Sequence, residues 1–296
     1  MSRKLRRYIE EQPQLPTGFR YKIPILVSDS KGFTLRNACS QQEFPLESWC
    51  IPGAKTSALV DLIQERIEKA IKKHRNIVIY LWSGTCDITV KEGKIIKLRH
   101  QDNKTIDLIV NQYRRAIKIV DKFPGAEIKL IDCTLQSIVK YNKTKGHKNP
   151  AKFRVEDFKV TNQINELNKR IAELNESLNK NTIRTSKYYF RSRSVKRGGR
   201  RKSNPINKRD GVHPGQLLSL VITKQILIDT YSECYNIEQH CELVQLAAVA
   251  ILTATEEWET KTVTTEAVVK DLGEFILSVF TTEHQNKTNI TNISLA

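Results

Sequence analysis

Ser30, Asp210 and His213 are the residues of this 296-residue chain whose types and settings could do chemistry together. Ser30 stands in VSDSKG (27–32), directly after a short apolar run, and Asp210 and His213 stand three apart in DGVHP (210–214). Between them GTCD (84–87) follows a second apolar run, NIVIYLW. A serine hydroxyl is a weak nucleophile until a base takes its proton in the transition state. A histidine can be that base near neutral pH. A carboxylate three residues earlier can fold back on Nδ1, fix the tautomer and leave Nε2 to face the serine. A glycine turn can present backbone N–H groups to a developing oxyanion. The chemistry implied is nucleophilic acyl transfer, with hydrolysis of an ester as its simplest form.

Such residues need elements that bring them to one place. Residues 23–27, 76–82 and 126–131 are short apolar runs closed by polar or glycine turns, which suits strands buried on both faces of a parallel sheet. Residues 57–73, 105–123 and 215–232 carry apolar positions at helical spacing. The alternation of strand and helix predicts a doubly wound α/β domain, with 185–190 as the last strand. In 156–180, Val160, Ile164, Leu167, Ile171, Leu174 and Leu178 step by four and three. That pattern reads either as a long helix packed on the sheet or as the seam of a coiled-coil dimer. Residues 1–20, basic and holding Pro13 and Pro16, read as a mobile arm. Helices at about 238–258 and 264–280 form an acidic extension. The expected division is 1–20 as arm, 21–233 as the hydrolase-like domain, and 234–296 as the helical extension.

The ordered blocks resemble those of the SGNH, or GDSL-type, hydrolases over roughly residues 22–232. In that family a Gly-Asp-Ser after the first strand holds the nucleophile, and here Ser28-Asp29-Ser30 places Ser30 in that role. By the same resemblance Gly53, in CIPGAKTSA, donates its N–H to the oxyanion together with that of Ser30. The family's Gly-x-Asn-Asp is Gly84-Thr85-Cys86-Asp87 here, so a cysteine replaces the asparagine whose amide would be a third donor. Cys86 offers only a weak S–H. Asp29, Gly84 and Asp87 then support their loops, and Asp210 with His213 matches the family's Asp-x-x-His. More narrowly, VSDSKG, GTCD and DGVHP together resemble invertebrate hydrolase-like proteins of this family associated with mobile elements. The resemblance implies a three-layer α/β/α fold with a mostly parallel five-stranded sheet in a flavodoxin-like order. The implied activity is cleavage of a small ester or acylated substrate through an acyl-enzyme, with no cofactor and no metal. Three other readings stay open: Cys86 as a thiol nucleophile with His213, a structural or assembly role through the heptad-like helix and the acidic tail, and an inactive hydrolase fold that binds a partner.

Charge suggests what that partner would be. The net charge is +17, and residues 184–209 hold eleven Lys/Arg and no acidic residue. Within that run Arg191, Arg193, Lys196, Arg197, Arg200, Arg201 and Lys202 follow Tyr188, Tyr189 and Phe190. Guanidinium forks suit phosphates and aromatic rings can stack on bases, so nucleic acid or another polyanion is the expected macromolecular partner, with an import address as the plainer role. Residues 235–296 carry nine acidic residues against three Lys and could compete for the same run. No apolar stretch is long enough to span a bilayer, and no secretory leader is read at the start. The expected location is cytoplasmic or nuclear, with the six cysteines as reduced thiols.

Overall fold

The computed structural model describes residues 3–11, 22–39, 46–188 and 209–231. The chain divides into two units, Met1–Cys234 and Tyr235–Ala296, and every described residue belongs to the first. The acidic extension and the basic residues expected to bind a polyanion, 191–202, lie outside the described residues.

In chain order the elements are α1 (Arg3–Glu11), β1 (Ile23–Ser28), α2 (Gly32–Cys39), β2 (Glu47–Cys50), α3 (Thr56–His74), β3 (Ile77–Trp82), α4 (Thr85–Ile88), β4 (Thr89–Glu92), β5 (Ile95–Leu98), α5 (Lys104–Val120), β6 (Ala126–Leu130), α6 (Ile138–Thr144), α7 (Arg154–Ser177) and α8 (Gln216–Tyr231). Four strands form one parallel sheet in the order β2-β1-β3-β6. Every residue of β3 is buried, as a central parallel strand covered on both faces requires. Helices α3, α5 and α7 pack together over one face, and α1, α2 and α8 over the other. The architecture is three layers, α/β/α. The chain order reverses between β1 and β3, which makes the carboxyl ends of those two strands the place where such sheets open a crevice.

The heptad-like seam of α7 belongs to this core: Val160, Ile164, Leu167 and Ile171 are fully buried within the chain's own fold. That face therefore offers no apolar stripe for the coiled-coil pairing the spacing also allowed. The expected mobile arm is partly a helix. Leu5, Tyr8 and Ile9 fall on one face of α1, Leu5 is buried, and Lys224 Nζ of α8 donates to the Ile9 carbonyl at 2.9 Å. A hairpin that no sequence pattern marked, β4 and β5, turns at Gly93.

Of the expected fifth strand at 185–190, residues 189 and 190 lie outside the described residues, and 185–188 form no strand; one parallel bridge, Ile131 to Ile183, stands just before them. The reason is Asp132. Its carboxylate accepts the N–H groups of Thr185 (2.7 Å) and Ser186 (3.0 Å) and both hydroxyls, which bends the chain into a 3-10 turn over Ser186–Tyr188. Two asparagines of α7 pair with the chain along β6 instead. Asn175 accepts from Leu130 N (2.9 Å) and donates to Leu130 O (2.8 Å). One heptad earlier, Asn168 accepts from Cys133 N (2.6 Å) and donates to Cys133 O (2.9 Å). Carboxamides one donor and one acceptor wide thus satisfy backbone groups that a further strand would have paired.

Candidate active site

The register of the sheet aligns the ends of three strands. Ser28 is level with Cys50 on one side and with Trp82 on the other. The segments that follow, with Ser30, Gly53 and Cys86, therefore leave the same edge side by side. Ser30 sits in the turn from β1 to α2. Asp29 closes that turn by accepting Lys31 N on Oδ1 at 2.9 Å, an Asx turn, and its backbone carbonyl accepts Gly32 N at 3.0 Å.

His213 reaches the same edge from the loop before α8. Ser30 Oγ lies 2.9 Å from His213 Nε2, across 183 residues of sequence. His213 Nδ1 lies 2.8 Å from Asp210 Oδ2. Asp210 Oδ1 also accepts the N–H groups of His213 (2.8 Å) and Val212 (3.0 Å), so one carboxylate shapes the turn and holds the ring. Burial raises the Asp210 carboxyl, but its hydrogen bonds to the His213 ring and to both backbone N–H groups outweigh that and hold it well below the ordinary carboxylate range. The loop is pinned to the sheet side by Ser137 N, which donates to Gly211 O at 2.9 Å. A Cβ at Gly211, where φ is +97°, would stand 2.9 Å from the Ser137 carbonyl oxygen, so glycine is required there.

The third block does more than support its own loop. Gly84 has φ +102°, and a Cβ there would meet Leu167 Cδ2 at 2.8 Å. Asp87 is the N-terminal cap that α3 lacks locally: its Oδ2 accepts Thr56 N at 3.0 Å and Thr56 Oγ1 at 2.8 Å. Asp87 thereby fixes the turn that carries Gly53. Burial pushes its carboxyl up. Arg99 donates to the Asp87 and Thr89 carbonyls at 2.8 and 3.1 Å and closes the end of α4.

Beneath Ser30 lies a charged pair that sequence reasoning missed. Lys31 is fully buried and its ammonium bonds Asp29 Oδ2 and Thr85 Oγ1. It also stands 5.5 Å from the centre of the Trp82 ring. Burial alone would raise Asp29 and lower Lys31, but each outweighs that for the other, so both stay charged. The one signal in sequence was a lysine between the serine and Gly32, in a turn enclosed by buried elements. Cys86 joins this cluster. Its sulfur lies 3.4 Å from Asp29 Oδ2, so the single thiol proton is engaged there. The weak oxyanion donor expected at this position is here a donor to the Asp29 carboxylate. Burial, with Asp29 beside it, pushes the Cys86 thiol up to about 12, which removes the thiolate that a cysteine nucleophile needs at neutral pH.

Among the described residues no group of three or more His, Cys, Asp or Glu is placed to hold a metal ion, and no helix is long and apolar enough to cross a membrane.

No family model and no curated protein matches the chain. Solved structures do. A GDSL-like lipase from Bacteroides thetaiotaomicron is 14% identical with a TM-score of 0.46, covering 75% of this chain and 96% of its own. An acetyl xylan esterase is 17% identical with a TM-score of 0.42, covering 69% and 97%. A lipase/acylhydrolase from Enterococcus faecalis is 17% identical with a TM-score of 0.42, covering 70% and 95%. The solved structures this chain is similar to include several described as GDSL-like lipases or lipolytic proteins of the G-D-S-L family.

Proposed function

We propose that this chain is a serine hydrolase that cleaves an ester or acetyl group through an acyl-enzyme on Ser30. The observation that carries the reading is the hydrogen-bonded series Ser30 Oγ, His213 Nε2, His213 Nδ1, Asp210 Oδ2, with links of 2.9 and 2.8 Å. With Nδ1–H donating to Asp210, Nε2 has a lone pair for the Ser30 proton. As Oγ attacks the carbonyl carbon, that proton passes to Nε2, and Asp210 stabilises the imidazolium without taking the proton itself. The imidazolium returns it to the leaving alkoxide. Water then repeats the attack on the acyl-enzyme with His213 again as base. The N–H groups of Ser30 and Gly53 serve the oxyanion, in the roles the motif resemblance gives them.

The test is labelling with an active-site-directed fluorophosphonate. Wild type should react at Ser30, and Ser30→Ala should not react. His213→Ala should slow labelling about as severely as loss of the serine slows turnover, because the pair acts as a unit. A folded wild type that does not label would refute the reading.

A further inference from the structure

Where the expected fifth strand peels away after Ile183, a cleft of about 320 Å³ opens between the 182–187 segment, α1 and α8. Arg184 and Lys187 line it, and both are exposed. Tyr8 of α1 forms another wall, its ring 5.8 Å from that of Tyr188 in an edge-on pair. Gln225 of α8 also faces the cleft. Its Nε2 donates to Tyr188 OH at 2.8 Å, while its Oε1 is buried with no partner. The one acidic side chain among the described lining residues, Asp229, already accepts from Tyr80 OH at 2.6 Å and pairs with Lys129 Nζ at 2.7 Å. Its charge is therefore largely answered from within the fold.

We propose that this cleft binds a nucleotide, with the phosphate on Arg184 and Lys187 and the nucleoside against Tyr8 and Gln225. Two cations alone would suit any anion. The volume is too large for a phosphate alone, and the aromatic wall offers a surface for a base. Gln225, hydrogen-bonded to Tyr188 at 2.8 Å, holds that aromatic wall in place behind the base. The surroundings have the right sign. Arg6 and Arg7 are exposed on the helix that carries Tyr8, and Arg184 and Lys187 open a stretch of sequence with eleven basic and no acidic residues. The site is separate from Ser30 and does not depend on the hydrolase reading. The nucleotide could be free or one unit of a strand, and the same residues would hold either.

Calorimetric titration of the full chain with adenosine 5′-monophosphate, a six-residue oligoadenylate and inorganic phosphate tests this. Binding of the mononucleotide should weaken at least tenfold in Arg184→Gln/Lys187→Gln and at least threefold in Gln225→Leu. Inorganic phosphate should compete only poorly. If the oligoadenylate binds and the mononucleotide does not, with the same loss in the double variant, the occupant is a strand. The two exposed substitutions do not touch the core, so the result does not hinge on the fate of Gln225→Leu. Absence of binding by both adenylates, equal affinity of wild type and double variant, or displacement of the nucleotide by equimolar phosphate would each overturn the proposal.

Discussion

The Cys86 sulfur lies 3.4 Å from Asp29 Oδ2, on the carboxylate that also holds the Lys31 ammonium. A thiol so placed has its proton committed and its pKa pushed up to about 12, with burial the largest cause. Two results should follow. Iodoacetamide should modify Cys86 far more slowly than an exposed thiol at pH 7, because the thiolate is scarce. Cys86→Asn should raise ester turnover, by about tenfold or more, since losing one oxyanion donor costs about 10²–10³ in a well-studied protease. Mass-spectrometric alkylation rates and steady-state kinetics decide both. A fall in turnover with Asn, in a folded protein, would mean that the thiol's bond to Asp29 matters more than a third donor.

The His213–Asp210 pair carries a pH signature. The folded Asp210 carboxyl lies below its ordinary value of about 3.9, so its stabilising contribution is complete above that value. The contribution is lost as pH falls through the lower, folded value. Asp210→Asn should therefore be less stable than wild type at pH 7, and the gap should narrow below about pH 4. Urea midpoints at a series of pH values measure this. The same variant should lose on the order of 10³–10⁴ in turnover, because the amide favours the wrong tautomer. A stability gap that does not change with pH would mean the carboxylate is not what is lost.

Lys31 and Asp29 should behave as one unit. Lys31→Met leaves a buried carboxylate without its cation, and breaking such a pair from one side costs about 3–5 kcal/mol. Asp29→Asn/Lys31→Met should recover most of that loss, since no buried charge remains. A double-mutant cycle from urea denaturation reads the coupling. A cost below about 1 kcal/mol for Lys31→Met would show that water reaches the pair. The recovered double variant should still label slowly at Ser30, because the lysine also ties the Ser30 turn to Thr85.

The parts of this protein that were legible in its sequence are those written in local pattern. The β1 run at 23–27 and the NIVIYLW run give their strands almost to the residue, because a strand buried on both faces must be apolar throughout. The meeting of Ser30, Asp210 and His213 was legible because each follows a strand or precedes a helix in a fixed order. What stayed hidden depends on long-range polar pairing. Nothing near Thr185 announces that Asp132, 53 residues earlier, takes its N–H and turns the chain off the sheet edge. Nor does Lys31 show in sequence that its partners are buried. Cys86 could be seen as a substitution, but its inward bond could not.

The edge of β6 supplies the last prediction. Asn175 is fully buried, and its carboxamide makes both hydrogen bonds to Leu130 that a further strand would have made. Asn175→Leu keeps the size and the helix but leaves a backbone N–H and a C=O without partners in a buried place. Each such group costs about 1–3 kcal/mol, so a loss of about 2–5 kcal/mol is expected. Asn165→Leu, on the exposed face of the same helix, should change stability by no more than about 0.5 kcal/mol. Asn168→Leu should fall between them, since Asn168 is only partly buried. Hydrogen exchange adds a local readout: the Leu130 amide should exchange much faster in Asn175→Leu, while the Ile79 amide in the centre of the sheet tracks global stability alone. Equal losses from Asn165→Leu and Asn175→Leu would mean that helix propensity, not edge pairing, sets the effect.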